Sequence, residues 1–233
     1  HGVFVIERLL DIAAKKLKID RAEIRRRNFI QPTQFPYNNE IIYQDFAPIV
    51  YDSGNYEPLL DDALEKIGYH KFISETQPKL RAEGKHVGIG IVAYVEGTGI
   101  GPYEGAKVQV MGSGRVSVVT GVGTQGQGHF TSFAQIVAEQ LGVDVDQIDV
   151  VTGDTDQFYW GAGTFASRGA VVAGNAINEA AKVVRKKILK LASEHFNAPE
   201  EELELADGMV KVQDLPRMSI SLGELAGMAN PMR

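Results

Sequence analysis

The sequence predicts an α+β chain, with helices around an antiparallel or mixed sheet, on three observations. Apolar residues recur at helical spacing over the first third, alternation replaces that spacing from Val87, and glycine clusters stand where the later elements meet.

The elements follow in order. Phe4, Val5, Ile6, Leu9, Leu10 and Ala13 predict a helix over residues 3–17, and Asp20 with Glu23 is a capping-box-like start for a short helix through Arg27. Residues 28–55 carry no clear periodicity. Their prolines Pro32, Pro36 and Pro48, Gly54 and several aromatics read as an ordered crossing segment, since a disordered linker is poor in Tyr and Phe. Helices over 57–67, stopped by Gly68, and over 71–83 come next. From Val87 strands are expected at 87–95, 106–111 and 116–120, the last two joined as a hairpin through Gly112, Ser113 and Gly114. A helix over 130–141 ends at Gly142, and a strand over 148–152 follows. The longest helix, over 167–193, presents Val172, Ala176, Ala180, Val183, Val184, Ile188 and Leu191 on one face. A hairpin over 203–212 turns at Asp207 and Gly208, and a last helix covers 222–228. The change of pattern divides the chain into a helical and crossing segment, 1–86, and an α+β portion carrying the glycine loops, 87–233.

Composition narrows the function. The 233 residues include no cysteine, and 24 Lys+Arg against 30 Asp+Glu give a net charge of −6. A disulfide framework, a zinc ribbon and an iron–sulfur cluster held by this chain alone are excluded, so any redox centre needs other ligands. The acidic balance argues against nucleic acid as partner. No apolar run reaches the roughly 20 residues of a membrane span. The first residue is His1, helical spacing begins at once, and 230–233 looks equally like an interruption, so the chain reads as a piece of a longer one.

Three glycine-rich loops carry the chemistry: 96–102, 121–129 and 161–168. Glycine lets backbone N–H groups approach an anion, and a helix N-terminus directly after a loop adds partial positive charge. The bland reading is that these glycines merely turn the chain, but Gln125, Gln127 and His129 have no role in a plain turn. Gly121, Gly123 and Gly126 also satisfy G-x-G-x-x-G. A Rossmann-like nucleotide-binding site is nevertheless disfavoured, because the preceding strand belongs to a hairpin and Asp144 and Asp146 precede the next strand.

Gln125-Gly-Gln-Gly-His129 with Thr131 and 134–136, Gly153-Asp-Thr-Asp156, and Gly161-x-Gly-Thr-Phe-Ala-Ser-Arg168 resemble the molybdenum-cofactor-binding subunit of the xanthine dehydrogenase, aldehyde oxidase and carbon monoxide dehydrogenase family. Residues 4–8, 24–32 and 51–56 are similar to it as well, so the resemblance covers essentially the whole chain in order. It implies an internal fragment of the large subunit, with molybdopterin cytosine dinucleotide as cofactor and the pterin's sulfurs holding molybdenum. That reconciles redox chemistry with the absence of cysteine. By position, Gln125, Gly126, Gln127, Gly128 and His129 would line the pterin and phosphate path, and Gly163, Thr164, Phe165, Ala166, Ser167 and Arg168 would form the loop beside metal and pyrophosphate. Ser167 would cap the helix that follows.

The resemblance further implies oxidation of an aldehyde, a heterocycle or carbon monoxide with water as oxygen source. The expected partners are an iron–sulfur subunit, an FAD-binding subunit, the remainder of the large subunit and a small-molecule substrate. The location would be cytoplasmic, with membrane association only through partners. The family's arginine loop and its late Gly-Val-Gly-Glu motif are missing, so the general base lies outside this chain and the isolated fragment is expected to be inactive and cofactor-free. The alternative from another class is a non-catalytic interaction module.

Other residues have structural readings. Glu104 as a general base is outweighed by a surface carboxylate beside a hairpin. Asp154 and Asp156 suit Asx turns better than a divalent metal. His129 is polar lining rather than a metal ligand, Trp160 packs under or shields the third loop, and Arg25, Arg26 and Arg27 serve a helix C-terminus or a subunit contact.

Overall fold

The computed structural model describes residues 1–43 and 46–229; the terminal 230–233, read above as an interruption, lies outside them. The chain divides into two compact units, His1–Val95 and Glu96–Arg233.

The first unit begins with α1 (Gly2–Leu17) and α2 (Arg21–Asn28). The Asp20 carboxylate starts α2 by accepting from the N–H groups of Ala22 at 2.7 Å and Glu23 at 3.2 Å. Glu23 does not complete the box, since its carboxylate accepts from Arg26 and Arg27 instead. The crossing segment holds a hairpin that periodicity did not reveal, β1 (Tyr37–Ile42) antiparallel to β2 (Pro48–Tyr51). Both strands are largely exposed, so no apolar alternation marks them. Then come α3 (Glu57–Lys66), the short α4 (Tyr69–Lys71), a wide π turn over Phe72–Thr76 and α5 (Gln77–Ala82). The buried apolar core here is small, consisting of Ala22, Leu60, Leu64 and Tyr69 with Phe29, Ile73, Ile89 and Ile91 packed against it.

Ionic contacts supplement that core. Arg25 is 1 % exposed; its Nε donates to Glu7 Oε2 at 2.7 Å, Nη1 to the Arg21 carbonyl at 2.8 Å, and Nη2 to Asp11 Oδ1 at 3.1 Å and the Ile91 carbonyl at 2.9 Å. The arginine run stands in the last turn of α2, as the helix-end reading expects, but its members have separate partners. Arg25 is interior, Arg26 bridges α2 to Glu57 and Asp61 of α3, and Arg27 pairs with Glu23.

Residues 87–95, expected as a strand, form none among the described residues. Their backbone groups are met by side chains rather than by a neighbouring strand: Arg25 and Gln77 donate to the Ile91 and Val87 carbonyls, and Ala93 N–H donates to Glu7. Alternation in sequence records two faces, whereas a strand also needs a ladder partner.

In the second unit β3 (Ala106–Val110) pairs antiparallel with β4 (Val116–Thr120), and β4 pairs parallel with β5 (Ile148–Thr152) through the crossover helix α6 (His129–Leu141). The sheet is mixed. It also corrects one argument made above, because β4, α6 and β5 form a βαβ unit even though β4 belongs to a hairpin. A π turn over Gly169–Ala173 leads into α7 (Gly174–Phe196). The buried face of α7 is Ile177, Ala181, Ile188 and Ala192, continuing Ala173, while Val183 is 56 % exposed. In the first turns Ala173, Ile177 and Ala181 replace the expected Val172, Ala176 and Ala180, whereas the expected Ile188 is buried and Val184 and Leu191 pack against the core. Finally, β6 (Leu203–Ala206), β7 (Met209–Val212) and β8 (Leu215–Ser221) form an antiparallel sheet, and α8 (Leu222–Met228) starts on a reciprocal Ser221–Glu224 capping box. Side chains from both sheets, α6, α7 and α8 share one large core, with Val116, Phe133, Val137, Leu141, Ile177 and Val210 among its residues.

Candidate functional site

The second unit gathers the three glycine loops. The loop after β4 and the loop 161–168 meet backbone to backbone, so closely that a Cβ on Gly121 would lie 1.7 Å from the Trp160 carbonyl oxygen. Only glycine permits this approach. Thr164 Oγ1 adds a hydrogen bond to the Gly123 carbonyl. The first loop joins through Gly99 N–H, which donates to the Ser167 carbonyl at 3.3 Å, and through Trp160, whose Nε1 donates to the Tyr103 carbonyl at 3.0 Å. The Trp160 and Tyr103 rings stack 5.4 Å apart. Trp160 thus fixes one loop to another.

Gln125, Gly126, Gln127 and Gly128 stand exposed on the approach to α6, with φ of 103° at Gly126 and 78° at Gly128. Gln127 Oε1 accepts from Gln125 N–H at 2.7 Å, which leaves the amide NH₂ of Gln127 pointing to no protein acceptor among the described residues. His129, the first residue of α6, is buried against Phe133, with stacked rings 4.9 Å apart. Its Nδ1 is buried without a partner among the described residues. Gly169 gives the imidazole its room, since a Cβ there would come within 2.5 Å of Nε2. No side chain caps α6 and no acid occupies its first turn, so its N-terminal amides and partial positive charge face the loop unopposed.

In the third loop Ala166 and Ser167 hold φ of 49° and 50°. That conformation overturns the expected cap: Ser167 makes no side-chain bond to the following turn, and its carbonyl serves the first loop instead. Phe165 is half-exposed, its ring centre 5.1 Å from the Arg168 guanidinium carbon. Arg168 is fully buried and donates to Glu104 Oε1 and to the carbonyls of Ile100, Pro102 and Gly163. Glu104, expected at the surface, is its buried counterion. Sixty-four residues separate the two, and no local spacing signals the pairing. Asp154 makes the anticipated Asx turn, accepting from Asp156 N–H at 3.0 Å and from the Gln157 amide at 2.8 Å. Among the described residues no three His, Cys, Asp or Glu side chains are grouped to hold a metal ion.

A family model of the molybdopterin cofactor-binding domain matches residues 62–232, which include all three loops. The chain belongs to that family. The chain is 36 % identical to the 6-hydroxypseudooxynicotine dehydrogenase complex subunit gamma of Paenarthrobacter nicotinovorans, over 99 % of this chain and 29 % of that one. It is 34 % identical to the carbon monoxide dehydrogenase large chain of Afipia carboxidovorans, over 97 % of this chain and 29 % of that one. Quinoline 2-oxidoreductase from Pseudomonas putida 86 superimposes with a TM-score of 0.79 at 32 % identity, covering 98 % of this chain and 30 % of that one. The chain therefore spans under a third of the length of these relatives.

The residues of the molybdopterin cofactor-binding domain fit the group its family name implies. The glycines of the second loop leave open space, since a Cβ on Gly123, Gly126 or Gly128 would meet no heavy atom within 4 Å. Beside that space stand an orphaned imidazole nitrogen and the uncapped start of α6.

Proposed function

We propose that this domain supplies cofactor-binding loops to the large subunit of a molybdenum hydroxylase, with molybdopterin cytosine dinucleotide as the bound form. The observation that carries the proposal is the meeting of the three glycine loops, which places exposed loop amides, the Gln125 and Gln127 side chains and the start of α6 on one patch. When bound, the group supplies a molybdenum centre that passes electrons between substrate and an acceptor chain.

The chain's own residues bind and orient. The loop N–H groups and the α6 terminus meet phosphate oxygens with fixed dipoles, which need no reorganisation once in place. The side-chain amides of Gln125 and Gln127 can both donate to and accept from a pterin edge. His129 Nδ1 is held at a set position by the Phe133 stack and by the space over Gly169, and it offers one further polar contact. Gly163, Thr164, Phe165, Ala166 and Ser167 form the adjoining wall, where the Phe165 ring lies against the Arg168 guanidinium.

The βαβ arrangement of β4, α6 and β5 supports the dinucleotide form, because it delivers a glycine loop to a helix N-terminus as pyrophosphate sites do. By analogy with the relatives, the substrate is an aldehyde, a nitrogen heterocycle or carbon monoxide, oxidised with water as oxygen source. Iron–sulfur and FAD-binding subunits carry the electrons in a cytoplasmic complex, and the general base comes from the remainder of the large subunit.

The test is to purify the full-length subunit with its partner subunits and assay molybdenum and acid-released cytidine monophosphate per chain. The expected result is near-equal amounts of both, lost together in Gln127→Ala and in His129→Ala. A folded full-length subunit with neither would overturn the reading in favour of an interaction module.

A further inference from the structure

Arg168 and Glu104 have no exposed side-chain surface, and neither contacts the open side of the glycine loops. Four of the five guanidinium N–H groups are accounted for: Nε donates to the Ile100 carbonyl at 3.0 Å, Nη1 to Glu104 Oε1 and to the Gly163 carbonyl at 2.9 Å, and Nη2 to the Pro102 carbonyl. Glu104 Oε1 accepts a second hydrogen bond, from Ala162 N–H at 3.1 Å. Two loops distant in sequence, 97–105 and 161–168, are thereby referenced to one rigid planar group. The third is tied to the same frame through Thr164 and the Gly123 carbonyl. Between these anchors Ala166 and Ser167 hold left-handed φ values, which persist only where the surroundings over-determine them. Guanidinium committed in this way has no fork left for a phosphate.

We propose that Arg168 and Glu104 form a positioning pair: buried behind the loops, they set the spacing of the loop amides that meet the cofactor and never touch it. The inference rests on the cofactor-binding reading above and places Arg168 behind the loop, in place of the cofactor-lining part its motif position implies. Geometry explains why arginine is needed. Lysine places one ammonium where three carbonyls and a carboxylate converge from separate directions, so it cannot hold all four at once.

The experiment uses the full-length subunit in its complex and compares Arg168→Lys, Glu104→Ala and Glu104→Gln. Two readouts are taken: the rate at which molybdenum and the released nucleotide leave during dilution, and amide exchange in cofactor-free protein. Arg168→Lys and Glu104→Ala are expected to speed cofactor loss at least about tenfold and to raise exchange over 97–105 and 161–168, with α6 and α7 unchanged. Glu104→Gln keeps an oxygen for Arg168 and Ala162 but removes the counterion of a buried guanidinium, so it is expected to speed cofactor loss less than Glu104→Ala does. Should Arg168→Lys fail to accumulate, the contrast between Glu104→Ala and Glu104→Gln carries the test.

Loosened loops with an unchanged rate of cofactor loss would reduce the pair to packing and overturn the proposal. Faster loss with unaltered exchange in those loops would also overturn it, by pointing to direct contact. A wild-type complex that holds no cofactor would bring down the cofactor reading itself, and this inference with it, a result distinct from either of the others.

Discussion

Arg25 in the first unit and Arg168 in the second are each buried against a glutamate, yet Arg25 joins two helices and the segment 87–95 whereas Arg168 grips loop carbonyls. The surroundings differ in the same sense. Glu7 Oε2 is satisfied twice, by Arg25 and by Ala93 N–H. Around Arg168, two non-glycine residues sit at left-handed φ, and Glu104 Oε2 and His129 Nδ1 are buried without partners among the described residues. The first pair completes a small apolar core, and the second holds loops in a shape they would not adopt alone. The contrast lies in what each arginine holds and not in strain as such, since Lys18, Glu40 and Phe46 of the first unit also hold positive φ and Asn39 Nδ2 is likewise buried without a partner among the described residues.

Breaking Arg25 should give the largest effect. Arg25→Met leaves Glu7 buried without its counterion and should cost the first unit about 3–5 kcal/mol. Chemical denaturation followed by amide exchange should show loss of protection over 1–28 and 87–95, with 106–229 retained. A cost typical of an exposed ion pair, below about 1 kcal/mol, would mean that the apolar residues alone hold the unit together. Next in size is Gly121→Ala, which forces a Cβ onto the Trp160 carbonyl. Backbone stands on both sides, so relief requires the loops to part, at a cost of about 3 kcal/mol. Trp160 is the only tryptophan in the chain, so its fluorescence reports that parting directly. An unshifted emission and melting temperature would show that the close approach is dispensable.

The two units were not equally legible in the sequence. Helical periodicity placed α1, α3 and α6 within a residue or two, and the hairpin of β3 and β4 followed from Gly112 to Gly114. Periodicity could not show that β4 is also the start of a parallel crossover, because a strand's second partner leaves no local mark. The same reason applies to 87–95, whose alternation is real but whose ladder partner is absent. The loop residues were recognisable as a set from glycine spacing and the polar residues within it. Their roles were not: a buried arginine and a ligand-facing one look alike in sequence, and only the convergence of Ile100, Pro102, Gly163 and Glu104 on Arg168 separates them. Arg25 was missed likewise, since its run reads as surface charge until Glu7 arrives from another helix.

A smaller change sharpens the contrast within the loops. Thr164→Val removes the hydroxyl that donates to the Gly123 carbonyl and keeps the shape of the side chain. About 1 kcal/mol should be lost, with faster exchange over 121–128 and none over 97–105, because the Arg168 anchors remain. Equal loosening of all three loops would show that they behave as one body rather than as a hierarchy.

The smallest effect belongs to the first unit and depends on pH. Burial alone would push the Asp20 carboxyl up, but the bond from the Tyr69 hydroxyl, those from the Ala22 and Glu23 amides and the nearby His70 together hold it below its ordinary value. A carboxyl held low in the folded state contributes stability that is complete above the unfolded value of about 4 and disappears as pH falls through the lower folded value. Asp20→Ala should therefore cost about 1 kcal/mol at neutral pH, and the difference from wild type should shrink in acid. Asp20→Asn keeps a capping oxygen for the α2 amides and should lose less, with a flatter acid limb. Urea denaturation at a series of pH values checks both. If the cost of Asp20→Ala persists undiminished near about pH 2, the carboxylate's charge contributes nothing, and the cap acts through shape and hydrogen bonding alone. The ionic character of the first unit would then reside in the Arg25 pair and its neighbours.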